Sequence, residues 1–198
     1  MTRRSGWTLS ALADAYLAGG ARFIQIRSKH AASGGFLAAC EDIVARARPA
    51  GALVIVNDRA DIAKIAGAGG VHLGQDDLDP ASARAVLGRD AVIGISTHSL
   101  EQVRAASAMP VDYIAVGPIF GTSTKETGYR SVGTALVTAA AGALGELGPR
   151  PIVAIGGITL DRAAEVIRAG AASVAVISDL LSTGDPEGRV RDYLRTLS

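Results

Sequence analysis

Cysteine is almost missing from this chain, because Cys40 is the one cysteine among 198 residues. A single thiol excludes a disulfide framework, and it also excludes a zinc site built from cysteines. Proteins that do without disulfides are typical of a reducing compartment. We therefore expect a cytoplasmic protein.

An excess of charge of either sign is missing as well. The chain has 20 lysines and arginines against 19 aspartates and glutamates, which gives a formal net charge of +1. A nearly neutral protein has no global field that would attract nucleic acid or an anionic membrane. We therefore expect small-molecule substrates, no nucleic acid and no membrane partner, and any anion site must be built locally. The oligomeric state is left open, a homo-oligomer included.

Long apolar runs are also absent. No stretch approaches the roughly 18 apolar residues of a membrane-spanning helix. Residues 5–7 are Ser-Gly-Trp, where a signal peptide would need an apolar region. The apolar fraction of 48% and the 24 glycines instead predict a soluble, compact protein, with residues 1–198 forming a single domain.

Apolar segments alternate with helix-like segments along the whole chain, which predicts a parallel α/β fold. No G-x-G-x-x-G motif follows the first strand, and this disfavours a dinucleotide-binding fold. We predict a (β/α)8 TIM barrel, in which the active site lies at the carboxyl ends of the strands. The seven predicted strands are residues 21–27, 52–56, 71–74, 91–97, 113–119, 151–157 and 173–178.

The strand count is one short of a complete barrel. Residues 1–7, MTRRSGW, contain no alternating apolar pattern that would supply a strand. We therefore predict a barrel that lacks its first strand, with the gap between residues 21–27 and residues 173–178. Unpaired backbone groups at two sheet edges favour aggregation or pairing with a partner strand, so we expect reduced stability.

Two aspartates follow neighbouring strands at the point where each strand ends. Asp58 follows ALVIV, and Asp77 follows VHLG. The carboxyl ends of adjacent parallel strands meet at one rim, about 4.8 Å apart. We predict that the two carboxylates hold one Mg²⁺, which favours one or two carboxylates together with phosphate oxygens and water. The structural alternative is that Asp58 caps the next helix and Asp77 opens the turn before Pro80.

The first predicted strand places polar residues at the same rim. Alternation puts Gln25, Arg27 and Lys29 on the face opposite Ile24 and Ile26. A neutral amide beside two cations suits a heterocycle that carries phosphate. The alternative is a solvated strand end.

Three later segments also carry candidate ligands for phosphate. The loop after residues 113–119 contains Thr122, Ser123, Thr124 and Lys125, although a plain surface loop has a similar composition. Gly156-Gly157 precedes a helix N-terminus, which favours an anion. Ile177-Ser178 ends the last strand, and loops after the last two strands of a barrel often bind phosphate.

Five other polar residues lie within strands, near strand ends or on a helix. Ser96 is expected to point inward, without the Ser-His-Asp arrangement that would make it a nucleophile. His72 lies within a strand and is expected to be a satisfied core histidine. His98 lies near the rim and has no evident partner in the sequence. Arg59 and Asp61 are expected to pair on a helix.

Seven motifs in order resemble the thiamine phosphate synthase family. They are IQIRSK, VNDRADIA, GVHLGQDDL, IGISTHS, DYIAVGPIFGTSTK, VAIGGI and AVIS, over about residues 18–182. The resemblance implies a (β/α)8 barrel that joins 4-amino-5-hydroxymethylpyrimidine diphosphate to a thiazole phosphate and releases pyrophosphate. Ser28 replaces the acidic residue usual between Arg and Lys, and Gly121 replaces a proline. Neither position is a direct ligand in the family's pattern.

The resemblance also implies roles for residues. Gln25 and Asn57 would hold the pyrimidine and its diphosphate, which Arg27, Lys29, Thr124 and Lys125 would also bind. Asp58 and Asp77 would ligate Mg²⁺, and Ser96 would lie beside the reacting groups. Thr122, Gly157, Ile177 and Ser178 would hold the thiazole phosphate. The catalytic set is then Arg27, Lys29, Ser96 and Lys125.

Two rival functions share these motifs. A related thiazole tautomerase, an isomerase on the same barrel, handles a thiazole phosphate without diphosphate or Mg²⁺. An inactive paralogue would keep the phosphate site without turnover. The joint presence of NDR, QDD and TSTK favours the synthase over the tautomerase, and turnover with both substrates and Mg²⁺ would separate all three functions.

Overall fold

The structure is a computed structural model that describes residues 6–121 and 131–198. Its strands form one parallel sheet in the order β1 to β7. The strands are β1 (Phe23–Ile26), β2 (Leu53–Asn57), β3 (Gly70–Leu73), β4 (Val92–Thr97), β5 (Tyr113–Val116), β6 (Ile152–Ile155) and β7 (Ser173–Ala175). The sheet confirms the predicted alternation of seven strands with helices.

Eight α-helices in the described part of the chain flank this sheet. They are α1 (Leu9–Ala18), α2 (Ser33–Ala47), α3 (Ala60–Ile65), α4 (Pro80–Leu87), α5 (Leu100–Ser107), α6 (Gly133–Leu147), α7 (Leu160–Arg168) and α8 (Pro186–Leu197). Short 3-10 turns occupy Arg48–Ala50 and Asp179–Leu181. None of these helices is long and apolar enough to cross a membrane.

The two faces of the sheet have different chemistry. Ile24, Ile26, Val54 and Val56 are buried on the face that packs against the helices. Residues that pair in register share a face in a parallel sheet, so the inner face can be read from the pairs Gln25↔Ile55, Asn57↔His72 and Ser96↔Ala115. The inner face therefore becomes polar toward the carboxyl ends of the strands.

Gly94 of β4 is required on that inner face by the ring of Tyr113. A Cβ at Gly94 would lie 2.0 Å from Tyr113 Cζ, although real Cβ atoms stay more than 3 Å from such neighbours. The missing side chain gives the tyrosine ring the space beside β4 that it fills. Tyr113 is thereby directed across the inside of the sheet.

The last strand is shorter than predicted. β7 ends at Ala175, and the chain then turns into Asp179–Leu181. Ile177 and Ser178 therefore lie beyond the sheet, in the connection that leads to the 3-10 turn. The expectation that they extend the strand is wrong, although they remain at its carboxyl end.

Strands β1 and β7 are the two edges of the sheet within the described ranges. A separate cluster of Leu12, Tyr16, Ile24 and Val190 lies beside β1, and Trp7 packs against it. Trp7 makes one isolated β-bridge. Residues 1–5, for which no strand was predicted, lie outside the described part of the chain. The architecture is an α/β fold with a seven-stranded parallel sheet, consistent with a TIM-like fold missing a strand.

Candidate active site

Asp58 stands at the end of β2 in a backbone conformation that is uncommon for a residue with a side chain. Its φ is 65°, a region that aspartate and asparagine tolerate better than other residues. Its N–H donates to the carbonyl of His72 on β3 at 2.8 Å. Helix α3 has Arg59 at its N-cap and no side-chain cap. The alternative in which Asp58 caps this helix is therefore wrong.

Asp77 lies in the turn after β3. Its Oδ2 accepts a hydrogen bond from the N–H of Gly74 at 2.7 Å. Asp79 is the residue that caps α4, because its carboxylate accepts from the N–H groups of Ala81 and Ser82. Asp79 therefore caps α4, and Asp77 instead closes the turn after β3 through its bond from Gly74.

The structure brings Asp58, Asp77 and Lys29 together. Burial raises the pKa of the Asp58 carboxyl, as do its hydrogen bond to Asp77 and the charge of that neighbour, while Lys29 opposes the rise. Lys29 Nζ lies 3.4 Å from Asp58 Oδ2. The neighbouring carboxylates of Asp58 and Asp77 repel each other when both are ionised. Their oxygens form a hard donor pair for a small divalent cation.

The carboxylates of Asp58 and Asp77 are a pair of oxygen ligands that could hold a metal ion. Within the described ranges, no group of three or more His, Cys, Asp or Glu side chains is placed to hold a metal. The site can therefore hold a cation that takes few protein ligands and completes its shell with substrate and water. It does not have the ligands of a dedicated protein cage.

The other predicted ligands of the first strands lie around this cluster. Asn57 is buried at the end of β2, opposite His72 in register. Arg27 is half-buried just beyond β1, and Gln25 is half-buried on the inner face of β1, opposite Ile55 in register. The rim thus combines a carboxylate pair, two cations and two amides.

A hydrogen-bonded network that the sequence analysis missed lies below this rim. His72 Nδ1 is 2.8 Å from the hydroxyl of Tyr113, and His72 Nε2 is 2.8 Å from Ser96 Oγ. Gln75 Nε2 also donates to the carbonyl of Ser96 at 2.6 Å. The expectation of a satisfied histidine holds, but the residues that satisfy it belong to the candidate site.

Beside this network, the ends of β4 to β7 enclose a cavity of about 380 Å³. The residues that line it include Ser96, His98, Gly117, Gly157, Ile177 and Ser178. Three predicted ligands of the thiazole phosphate, Gly157, Ile177 and Ser178, therefore share one cavity with Ser96. His98 also has a partner here, contrary to expectation, because its Nδ1–H donates to the Gly117 carbonyl at 2.5 Å.

Gly156 and Gly157 are required by close packing as well as by their conformation. Their φ values are 102° and 62°. A Cβ at Gly157 would lie 2.6 Å from the carbonyl oxygen of Gly121, and one at Gly156 would lie 2.6 Å from Pro118 Cβ. The turn after β6 is therefore packed directly on the segment after β5.

One further expectation can be placed in the structure, and another cannot. Arg59 and Asp61 form the predicted ion pair, with Arg59 Nε 2.8 Å from Asp61 Oδ1. The predicted ligands Thr122, Thr124 and Lys125, with Ser123, lie outside the described residues. Their roles stay predictions.

Comparison with known proteins gives one family. The family profile described as thiamine monophosphate synthase matches residues 2–180. A thiamine-phosphate synthase of Anaeromyxobacter dehalogenans is 49% identical over 177 residues, which cover 89% of this chain and 78% of the relative. One from Acidothermus cellulolyticus is 42% identical over 198 residues, or 100% of this chain and 92% of the relative.

A solved structure agrees with these relatives. Thiamine phosphate pyrophosphorylase from Pyrococcus furiosus superimposes with a TM-score of 0.89 at 30% sequence identity. The match covers 99% of this chain and 92% of that one. The chain therefore belongs to the thiamine monophosphate synthase family.

Proposed function

We propose that this chain is a transferase that joins 4-amino-5-hydroxymethylpyrimidine diphosphate to a thiazole phosphate, giving thiamine phosphate and pyrophosphate. The relatives support this activity along nearly the whole chain. The observation that carries it is the carboxylate pair with Lys29 on β1 to β3, beside a cavity at the ends of β4 to β7. The rim of β1 to β3 suits a diphosphate, and the cavity at the ends of β4 to β7 suits a second, smaller substrate.

The diphosphate substrate belongs at the rim of β1 to β3. Gln25 and Asn57 hold the pyrimidine, while Arg27, Lys29, Thr124 and Lys125 bind the diphosphate. Lys29 sits 3.4 Å from Asp58, so its charge lies where a diphosphate bridged to the carboxylates would arrive. Gly157, Ile177 and Ser178 of the cavity, with Thr122, hold the thiazole phosphate.

Asp58 and Asp77 hold Mg²⁺ in this proposal. The ion commonly binds through one or two carboxylates plus substrate phosphates. Burial and the neighbouring Asp77 carboxylate raise the pKa of Asp58, and a bound cation would offset the repulsion between the two carboxylates. When bound, Mg²⁺ neutralises charge that develops on the leaving diphosphate. Lys29, Arg27 and Lys125 act on the same charge from the protein side.

The reaction needs little covalent chemistry from the protein. The bond between the pyrimidine methylene carbon and the diphosphate oxygen breaks, and its electron pair leaves with the diphosphate. The ring amino group stabilises the resulting cation, and the thiazole nitrogen supplies the electron pair of the new C–N bond. Ser96, which lines the cavity and contacts His72, lies beside the reacting groups. The protein positions the substrates and stabilises charge.

The proposal extends to the architecture and setting of the chain. The sheet is a (β/α)8 TIM barrel that lacks its first strand, in one domain over residues 1–198. The support is the sequential seven-stranded order, with β1 and β7 as edges over the described residues, and the superposition on the Pyrococcus furiosus structure. The buried free thiol of Cys40 suits a cytoplasmic protein.

One assay separates this activity from the two rival functions. Pyrophosphate release is measured with both substrates and Mg²⁺, and again with each substrate omitted. The synthase releases pyrophosphate only when both substrates are present. A tautomerase converts the thiazole phosphate alone, and a binding paralogue releases nothing. The relatives give no support to either rival.

A further inference from the structure

Two side chains of α8 reach the 3-10 turn that follows β7. The Tyr193 hydroxyl donates to Asp179 Oδ2 at 2.7 Å. Arg189 donates to the same oxygen from Nε at 3.0 Å and from Nη2 at 2.8 Å. The side chains of Asp179 and Arg189 are 10% and 17% exposed, and Tyr193 is 6% exposed. One carboxylate oxygen therefore receives three hydrogen bonds in a place that is nearly closed to water.

The surroundings of Tyr193 set the direction of its bond. Burial raises the pKa of Tyr193, and so does the neighbouring Asp179 carboxylate, whereas Arg189 opposes the rise. The phenol therefore keeps its proton and is the donor. Its oxygen also lies 3.4 Å from the carbonyl oxygen of Ile158, in the turn after β6. A single hydroxyl of α8 thus contacts both the turn after β6 and the turn after β7.

These two turns carry the proposed ligands of the thiazole phosphate. Gly157 and Ile158 of the first turn, and Ile177, Ser178 and Asp179 of the second, all line the cavity. A phosphate monoester carries about −1.5 to −2 charges at pH 7. An uncompensated carboxylate in the cavity wall would repel this anion, because charges in partly buried places are poorly screened. The charge of Asp179 therefore needs compensation if the cavity is to bind a phosphate.

We propose that Arg189 and Tyr193 are positioning residues of the thiazole phosphate site. They draw the Asp179 carboxylate toward α8 and offset its charge, and they hold the turn after β7 beside the turn after β6. They act through Asp179 and Ile158 rather than through a contact with the substrate. This inference rests on the proposed function, in which the cavity holds the thiazole phosphate.

A purely structural role for this cluster makes a different prediction. Removal of one partner of a nearly buried ion pair leaves an uncompensated charge, which destabilises the fold. If the role were purely structural, Arg189→Gln and Asp179→Asn would both lower stability, and the affinity for the ligand would fall in both. In the proposal the two changes differ in their effect on affinity, because one uncovers a negative charge and the other removes it.

Calorimetry of thiazole phosphate binding, with Mg²⁺ and pyrophosphate present, measures these effects. Arg189→Gln should weaken binding about 10-fold, within the range for like charges near a protein surface. Tyr193→Phe keeps the ring and removes only the hydroxyl, so binding should weaken about 3- to 10-fold, the scale of one lost hydrogen bond. Asp179→Asn keeps an oxygen that accepts from α8. It should bind thiazole phosphate at least as tightly as the parent, although its melting temperature falls.

Two of these variants have a matched control. Arg191→Gln removes an arginine of the same helix whose side chain is 57% exposed and paired with Glu187. Tyr16→Phe removes the hydroxyl of a tyrosine that is also 6% exposed, in the separate cluster beside β1. Both controls should bind thiazole phosphate like the parent. The affinity for pyrophosphate with Mg²⁺, at the rim of β1 to β3, should be unchanged in every variant.

The outcomes separate the inference from the proposed function. Weaker binding in Asp179→Asn as well as in Arg189→Gln would mean a purely structural role and would overturn the inference alone. Parental affinity in both Arg189→Gln and Tyr193→Phe would do the same. A parent that does not bind thiazole phosphate would overturn the proposed function together with the inference.

Discussion

Asp58 combines an uncommon backbone conformation with a carboxylate that does not cap the following helix. It adopts a positive φ and caps no helix, and its half-buried carboxyl lies beside that of Asp77. Residues held in such conformations cluster at active sites and ligand-binding sites. The sequence predicted the pairing because both aspartates end adjacent parallel strands.

Replacing Asp58 by Asn should stabilise the metal-free protein. The change removes the repulsion from Asp77, and Asn tolerates the same backbone region. We expect the melting temperature in EDTA to rise by about 2–4 °C, the shift for about 1 kcal/mol in a chain of this size. We expect Mg²⁺ and pyrophosphate to raise the melting temperature of the parent but not that of Asp58→Asn. Asp76→Asn, on the exposed neighbour of Asp77, is the control and should change neither result. A lower melting temperature for Asp58→Asn in EDTA would show that the carboxylate has a structural function.

Lys29→Gln should lower kcat by roughly 10²-fold, the scale for removing one preorganised group that stabilises developing charge. The KM for the thiazole phosphate should change little, because Lys29 lies at the other half of the site. Lys125→Ala is expected to behave in the same way. The control is Lys64→Gln, since Lys64 contacts only the Leu87 carbonyl at 3.4 Å among the bonds described. Steady-state kinetics of Lys29→Gln with parental kcat would place this side chain in solvent.

The residues of the thiazole phosphate site should respond differently. Ser178→Ala and Thr122→Ala should raise the KM for the thiazole phosphate and leave kcat nearly unchanged, because such residues contribute uniform binding. Initial rates over a range of thiazole phosphate concentrations separate the two parameters. A fall in kcat without a change in KM would move Ser178 from binding to catalysis.

Among the elements, the turn after β6 depends most on its glycines. Gly157 has a φ of 62°, and a Cβ there would meet the Gly121 carbonyl at 2.6 Å. Gly157→Ala should therefore lower the free energy of unfolding by about 2 kcal/mol, within the range for overpacking plus backbone strain. Urea denaturation measures this change, and the KM for the thiazole phosphate should rise with it.

Helix α6 offers the opposite control. Gly142 is exposed within the helix, and a Cβ there would meet nothing within 4 Å. Gly142→Ala should raise the free energy of unfolding by about 0.5–1 kcal/mol, because glycine is a poor helix former. A loss of similar size at both glycines would mean that the packing at Gly157 does not determine the result there.

The elements also show what the sequence was able to predict. Strand order and helix positions follow from apolar periodicity, and α1 and α8 begin and end where predicted. The end of β7 at Ala175 did not follow, because SVAVIS remains apolar beyond the last ladder pair. The contacts of His72 were also hidden, since they join β3, β4 and β5 across the inner face. To predict these contacts, the sequence pattern would have had to give the register of the strands, which pairs Asn57↔His72↔Gly94↔Tyr113.

On the scale of the whole molecule, β1 is an edge strand of the described sheet, and a separate apolar cluster lies beside it. Trp7 is half-buried there against Leu12, Tyr16, Ile24 and Val190. Trp7→Ala should lower the free energy of unfolding by about 2 kcal/mol, somewhat less than for a fully buried tryptophan. Leu147→Ala, at a side chain that is 56% exposed, is the control in the same denaturation series. Equal losses would mean that Trp7 adds nothing to this region.

The account of the gap beside β1 makes a separate prediction. Adding a segment that supplies an apolar strand should raise the melting temperature, because it would pair with β1 and β7, the edge strands of the described sheet. An unchanged melting temperature would refute the proposal that the barrel lacks a strand there.

The central claim is that this chain transfers a pyrimidine to a thiazole phosphate, and a single-turnover reaction tests it most directly. Enzyme in excess is mixed with the pyrimidine diphosphate, the thiazole phosphate and Mg²⁺, and the products are quantified by mass spectrometry. We predict one thiamine phosphate and one pyrophosphate for each pair of substrates consumed, with neither product formed in EDTA. Conversion of the thiazole phosphate while the pyrimidine diphosphate stays intact would contradict the account.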